Sequence, residues 1–378
     1  MNKGVISKGI VLPIIKEGDD IVKIISDAVL EETVIGELYR QPAPNVKGLV
    51  KVPGMYAYDI NKYDVIGITE SIVARAEGNY VTVDDIAEEI RNKYGKCKSI
   101  IVNGMIYSRN RFSMILKGIA RGAKRLYLDM PAYDEVGNPS DVNPMTGVNM
   151  KEYYRKVVES EGCECYICDD DIVWETFDEP IGVLYCGLHD YKEWKETRTT
   201  LDGTCYTLAD ICSDKCEYGL LGSNKASEER LKLFPSKSYA KNVCEQIKAQ
   251  IIEKTGKEVI VMVYGDGCFK CPDTGIWEFA DPVCSPAYTN EELLNSSPNE
   301  VKVKALADDK YKNLNGDELT NAIEKEIAEN RGKSLVGNMV SQGTTPRRYV
   351  NLLASLMDLT SGSGDRCTPV ILVQNYFR

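Results

Sequence analysis

A short turn after an apolar segment carries the first residue that could do chemistry. Asp266 stands between Gly265 and Gly267, directly after VIVMVY. Glycines let the backbone bend tightly, and a carboxylate presented by such a turn is a common oxygen ligand for a divalent cation. Gly-Asp-Gly is also a favoured β-turn for backbone reasons alone. Asp266 is therefore a candidate metal ligand, and an ordinary turn is the alternative.

Two further polar loops carry groups that suit phosphate binding. The loop LTSGSGDRCTP has consecutive small residues whose N–H groups can surround phosphate oxygens. These residues are Ser361, Gly362, Ser363 and Gly364. The loop matches neither the P-loop nor the dinucleotide pattern, so a flexible connection is the alternative. In GLLGSNKASEER, Asn224 offers an amide donor, although Asn is also a frequent helix cap.

Two neighbouring arginines stand out in an acidic chain. Arg109 and Arg111 fall in YSRNRF, and guanidinium groups bind carboxylates and phosphates in a bidentate manner. Positive charge is unfavourable at a helix start, which favours an anionic partner. Both arginines are therefore candidate substrate-binding residues, with solvated charges as the alternative.

Cysteine and histidine set further bounds on the chemistry. The chain has 13 cysteines and one histidine, His189. Sites with two histidines are excluded, and a Ser-His-Asp triad would have to use His189. Some cysteine spacings suit structural zinc, and buried free thiols are the alternative. The cysteines in question are Cys163, Cys165, Cys168, Cys212, Cys216, Cys268 and Cys271.

The composition is typical of a globular protein with excess acid. Hydrophobic residues make up 43% and charged residues 27% of 378 residues, and the net charge is −11. Such a balance argues against a broad nucleic-acid surface, because phosphate neutralisation needs clustered Lys and Arg. The early apolar run GIVLPII fits neither a membrane helix, which needs about 20 apolar residues, nor a signal peptide. We expect a cytoplasmic protein with thiols rather than disulfides and no membrane or nucleic-acid partner.

Strand-like and helix-like segments alternate along the chain and must position these candidates. YDVIGIT and KEVIVMVY are predicted strands, and FPSKSYAKNVCEQIKAQIIEKTG is a predicted helix whose apolar face includes Ile247 and Ile252. The pattern predicts an α/β architecture of the mixed α+β kind. We expect residues 97–190 to form an inserted α/β subdomain between the two parts of a core, 1–96 and 191–378.

Several segments, in this order, resemble the coenzyme F420:gamma-glutamyl ligase family. LPIIKEGDDIVKII is similar to its opening segment, and YDVIGITESIVARAEG is similar to its first strand and helix. GLLGSN, FPSKSYAKNVCEQI, VIVMVYGDGCF and LLASLMDL…TPVILV follow the order of its later segments. The resemblance implies a gamma-glutamyl-ligase-like two-part fold, and it leaves residues 97–190 as an additional inserted block.

The resemblance also implies a set of site residues. Asp266 falls at a metal-ligand position. Two other metal positions depart from the family, because Leu221 stands where the family has Asp and Gly267 where it has Thr. The acidic residues nearby in the sequence that could substitute as ligands are Asp210, Asp214, Asp273, Glu278 and Asp281. At family positions that contact the nucleotide, this chain has Leu12, Pro13, Ile14, Ile15, Glu70, Ser71, Arg75, Asn224 and the loop from Thr360 to Thr368.

The function that the resemblance implies is nucleotide-dependent amide ligation. Family members use GTP with Mg²⁺ or Mn²⁺ to join L-glutamate to a carboxylate by a gamma-glutamyl-type link through an acyl phosphate. We expect this chain to use GTP or ATP with the same metals, to take an amino acid and a small-molecule carboxylate as substrates, and to form a homodimer. Leu221 and Gly267 leave open a non-catalytic nucleotide- or metabolite-binding protein on the same scaffold. The cysteines leave open a structural zinc protein.

Overall fold

Two five-stranded sheets and the helices packed on them form the frame of the described part of the chain, so the α/β fold class is confirmed. The structure is a computed structural model. It describes residues 4–30, 32–35, 50–56, 58–95, 97–106, 109–130, 132–133, 140–143, 146–168, 180–186, 204–265, 268–270, 277–279, 287–295, 302–330, 348–361 and 368–377. The backbone alone is described for 32–35, 50–56, 109, 268–270 and 277–279.

The first sheet is mixed and joins segments from both ends of the chain. Its strands are β1 (Ile6–Ile10), β4 (Val65–Thr69), β13 (Ile260–Tyr264), β16 (Ala287–Tyr288) and β17 (Val370–Gln374). Their spatial order is β1-β17-β4-β13-β16, with β4 and β13 parallel and the other pairs antiparallel. The first and last strands of the chain are therefore direct neighbours.

Helices cover both faces of the first sheet, because successive side chains of a strand point to opposite faces. One face packs against α1 (Ile21–Val29), α2 (Glu70–Glu77) and α6 (Lys237–Thr255). The other face packs against α9 (Tyr349–Ser361). Each of the buried strands β4, β13 and β17 thus contributes side chains to two cores.

The second sheet is parallel throughout. Its strands are β6 (Ser99–Asn103), β7 (Arg125–Asp129), β8 (Glu164–Cys168), β9 (Ile181–Tyr185) and β10 (Cys205–Thr207), in the spatial order β10-β9-β6-β7-β8. The helices of this unit are α3 (Val83–Tyr94), α4 (Arg109–Gly122) and α5 (Met150–Ser160). The boundary of an inserted subdomain at residues 97–190 stays a prediction.

A small antiparallel sheet lies between the two larger units. It consists of β5 (Tyr80–Thr82), β11 (Ser223–Lys225) and β12 (Arg230–Leu233), in the order β11-β12-β5. Its leucines belong to the core around the second sheet. The remaining described elements are β2 (Glu32–Ile35), β3 (Val50–Tyr56), β14 (Cys268–Lys270), β15 (Trp277–Phe279), α7 (Val303–Ala305) and α8 (Gly316–Asn330).

Helix α6 confirms most of the apolar face predicted from its sequence. Ile247 is fully buried with its neighbours on that face, and Gly256 ends the helix with a φ of +67°. The prediction that Ile252 shares the face is wrong, because it is 37% exposed. Consecutive helical residues are rotated by about 100°, so Ile252 follows the buried Ile251 onto the outer side. Among the described helices, none is both long enough and apolar enough to cross a bilayer.

Candidate active site

Segments far apart in the sequence meet at one edge of the first sheet. Strand β13 ends at Tyr264 directly opposite Thr69, the last residue of β4. Strand β17 runs the other way and begins here, and the Thr69 N–H donates to Pro369 O at 2.9 Å. Because Ile10 lies opposite Val370, β1 also ends at this edge. We call this edge, where β1, β4 and β13 end and β17 begins, the site edge.

The predicted nucleotide-contacting segment Leu12–Ile15 follows β1 at the site edge. Leu12 and Ile15 are buried in the core beneath α1 and α2. Pro13 is exposed, and Ile14 is 76% exposed. Two buried side chains thus anchor the segment, and the two residues between them face outward.

Glu70 and Asn224, predicted from distant parts of the sequence, contact each other. Glu70 begins α2 directly after β4 and is 1% exposed. Asn224 Nδ2 donates to Glu70 Oε1 at 3.1 Å. Lys232 Nζ forms a buried hydrogen-bonded ion pair with Glu70 Oε2. We call Glu70, Asn224 and Lys232 the Glu70 cluster.

Strand pairing explains how Asn224 and Lys232 reach the same carboxylate. The two residues lie directly opposite each other in the antiparallel pair of β11 and β12, and opposite residues share one face of a sheet. The sequence analysis missed Lys232. Its signal was the alternation in RLKL, where a lysine between two leucines must point away from the core that the leucines enter.

The other two α2 candidates differ in exposure. Ser71 is half-buried next to Glu70, and Arg75 is exposed in the last turn of α2. Arg75 is five residues beyond Glu70, which places it about 140° around the helix from Glu70 and about 7.5 Å further along the axis. Arg75 therefore lies on the outer side of α2, whereas Glu70 lies on the buried side.

The predicted phosphate-binding loop has both of its described ends at the site edge. Thr368 Oγ1 donates to Ser361 O at 3.0 Å, so the residues before and after the loop are joined. Ser7 Oγ and Thr360 Oγ1 are hydrogen-bonded at 2.8 Å, which ties the end of α9 to β1. Gly362, Ser363 and Gly364 lie outside the described residues.

Few described oxygen ligands for a metal stand near the site edge. Leu221 has no donor atom and packs against the core around the second sheet. Glu70 is already paired with Lys232. Gly265 follows β13 directly, and Asp266 and Gly267 lie outside the described residues. Among the described residues, these side chains therefore do not form a metal site on their own.

Arg111 has a buried position beside β11 rather than an open one. It is 1% exposed, and its Nη1 donates to Ser223 O at 2.6 Å. Ser223 immediately precedes Asn224, so Arg111 holds the strand that carries the amide of the Glu70 cluster. Arg109 begins α4, and its side chain lies outside the described residues.

The cysteines at the zinc-like spacings whose side chains are described are free thiols, several of them in apolar surroundings. They are Cys163, Cys165, Cys168, Cys212 and Cys216. Burial raises the pKa of Cys216 to about 11 and that of Cys163 to about 12. Zinc binds the thiolate, which a raised pKa disfavours. Within the described part of the chain, no three His, Cys, Asp or Glu residues could together hold a metal ion. His189 and Cys271 lie outside the described residues, and so does the side chain of Cys268.

We expect the thiols of Cys163 and Cys216 to react with iodoacetamide at pH 8 about 100-fold more slowly in the native protein than in urea. Their raised pKa keeps them neutral while unfolded thiols begin to ionise. By linkage, these thiols favour the folded state fully below about pH 8.5 and progressively less as the pH rises toward 11–12. Peptide mass spectrometry of quenched samples measures the rates, and equal rates in both states would contradict the prediction.

One comparison with known proteins gave a match. The model of the family described as F420-0:Gamma-glutamyl ligase matches residues 9–375, nearly the whole chain. The matched range includes residues 97–190 as well as every segment at the site edge. No curated protein matches the chain.

Proposed function

The chain belongs to the F420-0:gamma-glutamyl ligase family and is a ligase of that general kind, and we propose that it uses GTP or ATP to join an amino acid, L-glutamate, to a small-molecule carboxylate. An acyl phosphate is the proposed intermediate. A homodimer and a cytoplasmic location, both expected from the sequence, stay predictions.

The observation that carries this proposal is the convergence at the site edge. The Leu12–Ile15 segment, the start of α2 and both ends of the Ser361–Thr368 loop meet there. The hydrogen bond from Asn224 to Glu70 adds β11 to the same place. A ligand as large as a nucleoside triphosphate needs contacts from several chain segments, and these are the segments that the sequence resemblance assigned to the nucleotide.

The Glu70 cluster supports phosphate binding by orienting an amide. The Asn224 side chain has two N–H donors, and Glu70 accepts from its Nδ2. That contact fixes the amide plane, so a second N–H is held for a phosphate oxygen. A bare carboxylate so close would repel a triphosphate, and the positive charge of Lys232 offsets it.

The proposed reaction has two steps. A carboxylate oxygen of the acceptor attacks the γ-phosphorus, an O–P bond forms, and the bond to the β–γ bridging oxygen breaks with release of the nucleoside diphosphate. The amine of the amino acid then attacks the acyl carbon. A C–N bond forms, the C–O bond to phosphate breaks, and the amine proton passes to solvent. Asn224 and Arg75 would bind phosphate oxygens during the first step.

We propose that Asp266 holds Mg²⁺ or Mn²⁺. A divalent metal, when bound, neutralises phosphate charge and polarises the γ-phosphoryl group. Of the candidate positions that the structure describes at the site edge, Glu70 is paired with Lys232, and Leu221 adds no donor at all. Asp266, which the sequence resemblance assigns to a metal position, is therefore the residue on which we base the metal proposal.

Leu221 favours a second candidate function. An apolar side chain at a metal position suits a protein that binds a nucleotide or metabolite on the same scaffold without catalysis. Such a protein would bind the nucleotide through Asn224, Arg75 and the Ser361–Thr368 loop without needing a metal. Metal dependence of nucleotide binding therefore separates the two functions.

Nucleotide binding tests the proposal without knowledge of the acceptor. We expect a fluorescent GTP or ATP analogue to bind the full chain with Mg²⁺ and to bind about tenfold more weakly in excess chelator. Asp266→Asn should weaken Mg²⁺-dependent binding to the same extent. It should also reduce nucleoside diphosphate release with L-glutamate and a panel of carboxylic acids by about 100-fold.

The control is Asp308→Asn, which removes an equal charge from an exposed turn. It should match the unchanged protein in both assays. Tight nucleotide binding that is unchanged both by chelator and by Asp266→Asn would support the non-catalytic function. Absence of binding by both nucleotides would contradict both functions.

A further inference from the structure

The second sheet has a topological feature that the proposed ligase site does not use. Following the chain, its strands take the spatial order third, second, first, fourth, fifth, which is β8-β7-β6-β9-β10. The first strand, β6, pairs with β7 on one side and with β9 on the other. Later strands are thus added on both sides of β6. In parallel sheets, ligands bind outside the carboxyl ends of the strands at such a reversal point.

The carboxyl ends of these strands carry a row of polar residues above an apolar sheet. The row lies in register across the five strands. One position earlier, Val102, Leu128 and Leu184 are buried. The polar row consists of Cys168, Asp129, Asn103, Tyr185 and Thr207. The switch from apolar to polar residues coincides with the edge at which a ligand would bind.

Asn103 and Asp129 form the centre of this row. The Asn103 amide donates to Asp129 Oδ2, and the Gly104 N–H donates to Asp129 O at 2.9 Å. The Cys186 N–H donates to Asn103 O at 2.7 Å, so β9 is held beside β6 across the reversal point. Both side chains of the central pair are half-buried. A carboxylate has about four acceptor positions, so Asp129 can accept hydrogen bonds from more than one donor at once.

The turn after β6 limits the class of ligand. Gly104 has a φ of +78° and turns the chain out of the sheet toward α4. Dinucleotide-binding turns need further glycines two and five positions on, so that the backbone can approach a pyrophosphate. Here those positions hold Ile106, which is 1% exposed, and Arg109. A buried side chain thus occupies the position where a pyrophosphate would require glycine.

From this geometry we infer that the carboxyl edge formed by β7, β6 and β9 binds a ribonucleoside, with Asp129 accepting hydrogen bonds from the ribose hydroxyls. An acidic residue at the end of the second strand of this topology is placed to bind a ribose diol. Asp129 is the last residue of β7, which is that second strand. The site is separate from the site edge of the first sheet and does not depend on the proposed ligase function.

Equilibrium binding of free nucleosides tests the inference. Adenosine, guanosine, cytidine and uridine are each titrated into the full chain in chelator, followed by ligand-observed NMR. We expect at least one to bind with a Kd below about 1 mM. Its 2′-deoxy counterpart and the variant Asp129→Asn should each show binding weakened about tenfold, the loss of one hydrogen bond to a charged group.

Matched controls separate this site from the ligase site. Asp141→Asn removes an exposed carboxylate of the same unit and should leave nucleoside binding unchanged. Asp129→Asn should leave Mg²⁺-dependent binding of the triphosphate analogue unchanged. Unchanged binding also shows that the Asp129→Asn variant is folded. The 2′-deoxy comparison needs no variant. Failure of all four nucleosides to bind, or equal affinity for the deoxy counterpart, would overturn the inference and leave the proposed ligase function untouched.

Discussion

Replacement of Lys232 by methionine is expected to lower the free energy of unfolding by about 3–5 kcal/mol. The Glu70 and Lys232 side chains are 1% and 6% exposed, so the substitution leaves a carboxylate buried without its cation. Methionine keeps the volume of the lysine stem and limits any loss of packing. Urea unfolding of the full chain, followed by tryptophan fluorescence and circular dichroism, measures the change.

The double variant Glu70→Gln with Lys232→Met should recover most of that loss. With both charges removed, no ion remains buried, and the new side-chain amide would keep an oxygen for the Asn224 amide. The matched control is Lys225→Met on the neighbouring strand. Lys225 pairs with Glu228 at 35% and 86% side-chain exposure, so its loss should cost no more than about 1 kcal/mol. Equal effects of the Lys232 and Lys225 substitutions would refute the role of burial.

Arg111→Ala is expected to lower the free energy of unfolding by about 2–4 kcal/mol. The substitution removes a large side chain that is 1% exposed, and it takes the donor from Ser223 O. Release of a buried charge from an apolar region offsets part of that cost. Arg111→Met should lose about half as much, because its stem refills the space. Urea unfolding again measures the change.

The same variants decide between two roles for Arg111. A substrate-binding arginine would leave stability unchanged when replaced and would raise only the KM for the anionic substrate. Arg91→Ala is the control for the stability measurement. Arg91 also donates to a backbone carbonyl, Arg121 O at 3.2 Å, but from an exposed position. Its replacement should change stability by no more than about 0.5 kcal/mol.

Both predictions concern the groups that hold Asn224 in the proposed site. Arg111 holds the backbone at Ser223, and Glu70 with Lys232 holds the side chain of Asn224. Asn224 is therefore fixed by groups from α4, α2 and β12. In a ligase, such fixed donors reduce the reorganisation needed when charge shifts on the phosphates. Variants that remain folded should accordingly bind the nucleotide more weakly than the Lys225 and Arg91 controls.

Local patterns in the sequence determined the elements near the candidate site. The apolar segments YDVIGIT and VIVMVY predicted β4 and β13. These predictions held because a short run rich in apolar, β-branched residues favours a buried strand through residues close in the chain. The order of family-like segments likewise identified the family that the match over residues 9–375 shows.

Only the tertiary structure decided which charged groups meet. Lys232 lies 162 positions from Glu70 and Arg111 lies 112 positions from Ser223. No local pattern encodes such a pairing, because it follows from the register of β11 with β12 and from the packing of α4 beside them. The strand order β8-β7-β6-β9-β10 also depends on contacts between distant residues. Alternating strands and helices predict a parallel sheet, but they do not predict on which side of the sheet each new strand is added. The sequence thus determined which groups exist and on which elements, and strand pairing decided which of them could act together.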